Sequence, residues 1–573
     1  MAEKIISPNV FVSETDRSLV SRGPVVTGAA IVGPTVKGNP LVPTVVTSYS
    51  EFQSKFGETF KSGSQYYEYL TSLTAKQYFE NDNGKSLLVT RIVSGSVYNT
   101  YAQAYVNRSG SALSFAASAS FTLESIAFGT QSNNTGSISA AQALGSGTAD
   151  NVRWEVSNVD YTKGTFTLLI RRGNSTHLDK GILETFENIS LDPQQPNFIS
   201  RRIGDQKFNY TSTDGGYLQV TGNYPVASQY VRVASVSTLH ADSFDNEGVF
   251  KAAQYSSSLP AIGSGSWGGT FDGGVADTNR QGLYFENITS NNSQGFSPAD
   301  DYTAAFSLLA NKEEFDFNLL LAPGTFMNTS LISTCENRGD AFAIVDPVVY
   351  GSTKTAAIQA AAGSTSNYAA TYWPWVQTQS STLGKSVWVP PSVVMAGVYA
   401  FNDSVGFEWF APAGLNRGGI AVTGIERKLS ANDRDDLYSA NVNPLATFPG
   451  EGTVAFGQKT LQKRATSLDR INVRRLLINL KRYVSSVSRE LVFEQNTTVT
   501  RNRFLANVTP YMDSVVSRQG LFAYRVIMDE TNNTADVIDR NQLIGQIFVQ
   551  PTKTAEFIIL DFTLLPTGAT FPA

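Results

Sequence analysis

Apolar and polar positions change rhythm twice along the chain. In residues 25–95 the continuous apolar runs Val25–Val32, Val42–Thr47 and Leu87–Val93 have the content of buried strands. Between them Ser50–Phe56 predicts a short helix with Ser50 as N-cap. Gln65–Phe79 predicts a longer helix, with Tyr66, Tyr69, Leu70, Leu73 and Tyr78 near helical spacing, stopped by Asn81-Asp82-Asn83-Gly84. Strands alternating with helices predict an α/β domain.

Helical periodicity disappears over 96–298, where Ser, Gly, Asn and Thr dominate. Short runs such as Phe166–Arg171 and Tyr230–Val236 predict a β-rich insertion of one or two domains, a sandwich or barrel. The α/β rhythm resumes at 299. Asp300 and Asp301 open a helix to about Ala310. Strand Phe317–Leu321, a helix around Ser330–Arg338, strand Ala341–Val345 and the Ala-rich helix Thr355–Ala362 follow. The chain is therefore expected to be multidomain: an arm (1–24), an α/β domain in two pieces (25–95 and 299–380) flanking the insertion 96–298, a C-terminal α/β domain (381–553), and a terminal strand (554–573).

Two strands have no hairpin partner nearby. Val10, Phe11, Val12 and Ser13 form one; Phe557–Leu564, containing Phe557, Ile558, Ile559, Leu560, Asp561 and Phe562, forms the other. Exposed sheet edges accept strands from other chains, so both are expected to pair between subunits. The apolar stretch Val387–Phe401 is broken by Pro390, Pro391 and Gly397 and predicts core; no run of 18 apolar residues exists, so no membrane insertion is expected.

Composition narrows the function classes. A net charge of −5 argues against the chain as a whole binding polyanions. The single cysteine, Cys335, excludes an internal disulfide framework, and Met1–Ile6 shows no apolar signal segment, so synthesis in a reducing cytoplasm is expected. Chemistry is hard to find. Only His177 and His240 are present, too few with one cysteine for a His/Cys zinc cluster, and no Gly-x-Ser-x-Gly elbow accompanies them. Gly263, Gly265 and Gly268 have dinucleotide-loop spacing but lead into more loop, not a helix. Gly384-Lys385-Ser386 resembles the end of a phosphate loop, but Gln379 stands at the first glycine. The acidic clusters Asp300-Asp301, Glu313-Glu314-Asp316 and Asp433-Asp435-Asp436 lack calcium-loop spacing. Asp346 ends a buried strand, where α/β enzymes place ligands, but precedes Pro347 as a turn residue would. No catalytic residue, cofactor or metal is expected, and the chain is read as a non-enzyme.

What remains is charge geometry. Eleven basic residues against three acidic leave +8 between Lys459 and Arg503. Leu468–Val492 is the clearest helix of the chain. Val473, Leu476, Leu477, Leu480, Val484, Val487 and Leu491 share one face; Arg470, Arg474, Lys481, Arg482 and Arg489 take the opposite side. Without interleaved aromatics for base stacking, an acidic protein surface is the expected partner, not nucleic acid.

Several segments, in order, resemble a known family. Ser7-Pro8-Asn9-Val10-Phe11-Val12-Ser13-Glu14 is similar to the opening of contractile tail sheath proteins, with Asn9 for the usual glycine. Ala30–Gly38, Val46–Phe52 and Phe56-Gly57 follow its strand, Gly-Pro loop and short helix. Asp316–Gly324, Arg338–Asp346, Tyr368–Trp375, Val389–Ser392, Ala396–Ala400, Ala411–Gly414, Asn441–Pro444, Lys459-Thr460-Leu461 and Ala555–Ile558 keep the family order. The resemblance covers residues 1–95 and about 300–573 and implies a phage tail sheath subunit. Such subunits form hexameric rings stacked in a helical lattice around a tail tube, bounded by baseplate and tail terminator proteins. The lattice contracts to drive the tube through the host envelope. The resemblance further implies an outward-facing insertion, a tube-facing C-terminal domain with its basic helix turned to the tube, location in the virion tail, and assembly in the host cytoplasm. A bacteriocin or type VI secretion sheath is the alternative, and an α/β hydrolase a distant one.

Overall fold

The computed structural model describes residues 28–62, 65–80, 84–93, 103–107, 112–113, 119–126, 152–237 except 174 and 177, then 247, 249, 259–266, 288–380 and 382–556. The two terminal strands and both histidines of the sequence reading lie outside these. The described residues divide into two compact units, one of 28–481 with 551–556, the other of 482–550.

The larger unit is organised by a nine-stranded mixed sheet. Its order is Thr44–Val46, Leu87–Arg91, Ala29–Gly33, Leu319–Phe326, Phe342–Asp346, Ala369–Trp373, Asn443–Phe448, Gly452–Ala455 and Gly419–Ile420. From Leu87–Arg91 to Asn443–Phe448 neighbours are parallel; the pairs beyond are antiparallel. Ala29 pairs with Leu87 on one side and Leu319 on the other, so residues before and after the insertion are adjacent strands. The parallel strands are near-continuous apolar runs because both faces are covered. Alternate residues enter two cores: Ala30, Val32, Leu320 and Ala343 one, Ala29, Ile31, Leu319 and Phe342 the other. The sheet also runs past residue 380, since Tyr372 pairs with Asn443; the expected break at 381 does not interrupt it.

Two helices on one face touch backbone to backbone. A Cβ on Gly397, inside Pro391–Val405, would meet the Gln77 carbonyl oxygen of Leu70–Phe79 at 2.6 Å. Asp346 ties this layer to the sheet. Its fully buried carboxylate accepts from the Ser392 backbone N–H (2.9 Å), the Ser392 hydroxyl (2.6 Å) and the Gly324 N–H (3.2 Å). Burial outweighs these donors and lifts the carboxyl to about 6. Asp346 is thus the turn-side cap of a helix start. The similarly placed Arg338-Gly339-Asp340 is structural as well: the Arg338 guanidinium binds Asp340 and the Leu309 and Phe315 carbonyls and lies 4.0 Å over the Phe317 ring.

Local readings shift in several places. Gln65–Glu68 is a strand paired with Thr59–Ser62, and the helix is only Leu70–Phe79. The preceding helix is Tyr49–Phe56, capped by Ser48, whose side chain accepts from the Glu51 N–H, so Ser50 is not its cap. The helix expected from Asp300 is Thr303–Leu309.

In the insertion, Ile182–Ser190, Thr165–Arg172, Val152–Asp160 and Gly263–Ser266 form one antiparallel sheet. Val231–Val236, Ala119–Ser125, Gln103–Asn107 and Ala112–Leu113 form a second, and Lys207–Thr211 with Tyr217–Thr221 a hairpin. All are open, so among the described residues the barrel alternative is excluded. The Phe121 ring stacks on Phe166 between the two larger sheets, 5.5 Å centroid to centroid. Gly263 and Gly265 pair with Val156 and Trp154 in a strand, which removes them from any phosphate-binding turn.

Candidate functional site

The basic helix spans Ile471–Arg489, with a 3₁₀ turn at Ser467–Asp469 before it that is capped by the Thr466 hydroxyl. Its first half does not present a solvated row of cations. Arg474 is 4% exposed: its guanidinium lies 4.0 Å over the Tyr368 ring and donates to Asn367 Oδ1 at 2.6 Å. Arg475 is 2% exposed, donates twice to Asp403 at 2.8 and 2.5 Å, and covers the Tyr399 ring at 4.9 Å. Arg470 binds Asp469 and Glu556. Arg474 and, in part, Arg470 are therefore not available on the outer basic face expected opposite the leucines. An arginine stem and planar head pack on apolar and aromatic surface as readily as they face water. Lys481 and Arg489 are exposed; Arg482 is partly buried, which pulls its guanidinium down to about 10. On the apolar side Val473, Leu476, Leu480 and Leu491 are buried, while Leu477, Val484 and Val487 are only partly so.

A second cluster was not foreseen. Glu556 accepts from Arg470 Nε (2.6 Å), Gln458 Nε2 (2.9 Å) and the Tyr438 hydroxyl (2.6 Å). Lys459 donates to the Tyr438 carbonyl and sits 4.3 Å over its ring. Asn443 braces the group: its Nδ2 donates to the Thr371 and Lys459 carbonyls and its Oδ1 accepts from the Lys459 N–H. A cleft of about 670 Å³ opens beside it between Ala465–Val473 and Pro551–Glu556. Asn443, Lys459 and Glu556 all stand in segments carrying the family resemblance, which was the available signal.

In the smaller unit Tyr483 stacks on Tyr511 at 3.7 Å and donates to the Asn507 carbonyl, joining the end of the basic helix to Thr498–Ser517. Strands Leu521–Ile527 and Gln546–Pro551 form a two-stranded sheet. Phe522 is 78% exposed and Phe548 55%; Phe493, in the turn between the helices at φ 72°, is fully exposed. Among the described residues no group of three or more His, Cys, Asp or Glu is placed to hold a metal ion, and no helix is long and apolar enough to cross a membrane.

Residues 297–461 match the model of the phage tail sheath protein central domain, and residues 464–564 that of the phage tail sheath C-terminal domain. Both matches are to domains of phage tail sheath proteins, and together they span less than half of the chain. Tail sheath proteins are also similar to it, each over part of its length. That of Vibrio phage KVP40 is 40% identical over 185 residues, 32% of this chain and 28% of the relative. That of Enterobacteria phage T4 is 32% identical over 300 residues, 48% of this chain and 46% of the relative. The matches thus span less than half the length of either. The sheath tail protein of Listeria innocua has the same fold over 92% of this chain and 95% of its own, with a TM-score of 0.52 and 10% identity. The nine-stranded sheet falls partly in the central sheath domain; the basic helix, Glu556 and the two-stranded sheet fall in the C-terminal sheath domain.

Proposed function

We propose that the chain is a non-enzymatic structural subunit of a contractile phage tail sheath, polymerising in hexameric rings around a tail tube and contracting to drive that tube through the host envelope. Its other partners are then baseplate and tail terminator proteins, its place the virion tail, and its site of assembly the host cytoplasm. The observation that carries the reading is the two-stranded sheet of the C-terminal sheath domain. Among the described residues neither outer edge carries a further strand, and exposed Phe522 and Phe548 stand on it. Such a sheet, braced on the helix Thr498–Ser517 through the Tyr524 hydroxyl but only two strands wide, has edges that suit strands added from neighbours. Val10–Ser13 and Phe557–Phe562 are the strands proposed to be exchanged, the insertion to face outward, and the C-terminal domain to face the tube.

Negative-stain microscopy of the purified protein tests this: tubular polymers are expected, and deletion of residues 1–20 should leave folded subunits that do not polymerise. Discrete particles from the full chain, or full-length tubes from the deletion, would overturn it. The proposed tube contact now falls on Lys481 and Arg489, the exposed cations of the basic helix. Weak, solvated charge pairs suit a surface that must grip and then let go. Replacing both by Glu should cut sheath assembly on tubes at least ten-fold; wild-type assembly would remove the helix from the tube interface.

A further inference from the structure

The tie between the last described residues and the body of the larger unit is unusual. Thr552, Lys553, Thr554 and Ala555 are all exposed, and the cleft lies between this segment and Ala465–Val473. Glu556 then turns inward. Its two carboxylate oxygens collect three side-chain donors from three places in the sequence: Tyr438 at the end of the helix Ala431–Ser439, Gln458 in the loop after Gly452–Ala455, and Arg470 just before the basic helix. Gln458 Nε2 also bonds Thr554, and Asp469 holds the other end of the Arg470 guanidinium. A carboxylate held this way fixes the position of Glu556, because charge-assisted bonds from three directions leave its side chain little freedom of rotation.

We propose that Glu556 is the positioning residue for the C-terminal arm: it sets the point and angle at which residues 557–573 leave the subunit, and so whether they reach a second copy of this chain. The proposal rests on the sheath reading and deepens it, since it says how the subunit aims the strand it gives away. Arm sequence alone is then insufficient. An arm with every residue intact fails when released from this anchor, because it samples many directions and its effective concentration at the neighbour's sheet edge falls.

The test has two readouts on the full-length protein. The first is trypsin cleavage after exposed Lys553, followed by mass spectrometry; Glu556→Ala should raise its rate at least ten-fold and leave cuts elsewhere unchanged. The second is tube yield by pelleting and negative stain, which should fall at least ten-fold with the melting temperature of the subunit unchanged. The charge swap Arg470→Glu with Glu556→Arg should recover both readouts in part. Unchanged cleavage at Lys553, or tubes at wild-type yield from Glu556→Ala, overturns the proposal. Were Glu556→Ala to open cleavage sites throughout the chain, the swap decides: recovery of slow Lys553 cleavage and of tubes supports the anchor, and recovery of folding without tubes overturns it. Failure of the wild-type chain to form tubes would instead count against the sheath reading, with Lys553 cleavage still reporting on the anchor.

Discussion

The nine-stranded sheet and the two-stranded sheet are finished to different degrees. The large one ends in strands of three and two residues, Thr44–Val46 and Gly419–Ile420, too short to template another chain. The apolar residues of its parallel strands are covered on both faces. The small one has strands of seven and six residues, both outer edges open among the described residues, and two phenylalanines in solvent. The first is built to be complete within one chain. The second has the features of a part to be completed by another, and the cations differ in exposure in the same way: Arg474 and Arg475 are buried beside the large sheet, whereas Lys481 and Arg489 are exposed.

If that contrast is right, substitutions in the two regions should divide between folding and assembly. The largest effect on folding is expected at Arg475. Removing the guanidinium strands Asp403 and uncovers Tyr399, and breaking a pair of this kind costs about 3–5 kcal/mol; urea denaturation of Arg475→Ala should show it. A loss below about 1 kcal/mol would mean the pair is not part of the finished core.

Next comes Asp346. Its carboxyl is held at about 6 in the folded chain, above its ordinary value near 4. The folded state therefore binds more protons than the unfolded one between these values, and stability from this group falls as pH rises through about 6. Measured against Asp346→Asn, the wild type should lose on the order of 2–3 kcal/mol between pH 4 and pH 7. A flat difference across that window would show that the three donors hold the carboxylate charged.

The smallest folding effect belongs to the open sheet. Phe522→Ser should change stability by no more than about 0.5 kcal/mol while lowering tube yield several-fold. A destabilisation above about 1 kcal/mol would make Phe522 part of its own unit's core and blunt the contrast.

How much was legible from residues follows the same division. Strands such as Ala29–Gly33 and Phe342–Asp346 are plain in the sequence because burial on both faces makes them uninterrupted apolar runs. Gln65–Glu68 was not, because Tyr66 and Tyr69 fit a helical repeat and the competing partner, Thr59–Ser62, is a matter of pairing and not of period. The charge on the basic helix was plain, its destination was not. A helical wheel places Arg474 opposite the leucines and water by default. The ring that takes it, Tyr368, lies about a hundred residues away in sequence. Glu556 looked like one more position in a terminal strand, since nothing local announces three donors arriving from Tyr438, Gln458 and Arg470.

The position of Ala29–Gly33 between Leu87–Arg91 and Leu319–Phe326 also dictates a schedule. At roughly 5–20 residues per second, a ribosome delivers Leu319 about 15–60 s after Ala29. Until then one long edge of the first strands has nothing to lie against. The hairpins of the insertion, by contrast, close over short separations and can form while they wait. The insertion can thus begin to fold before the largest sheet is complete, and the centre of that sheet is sealed only when more than half of the protein has already been made.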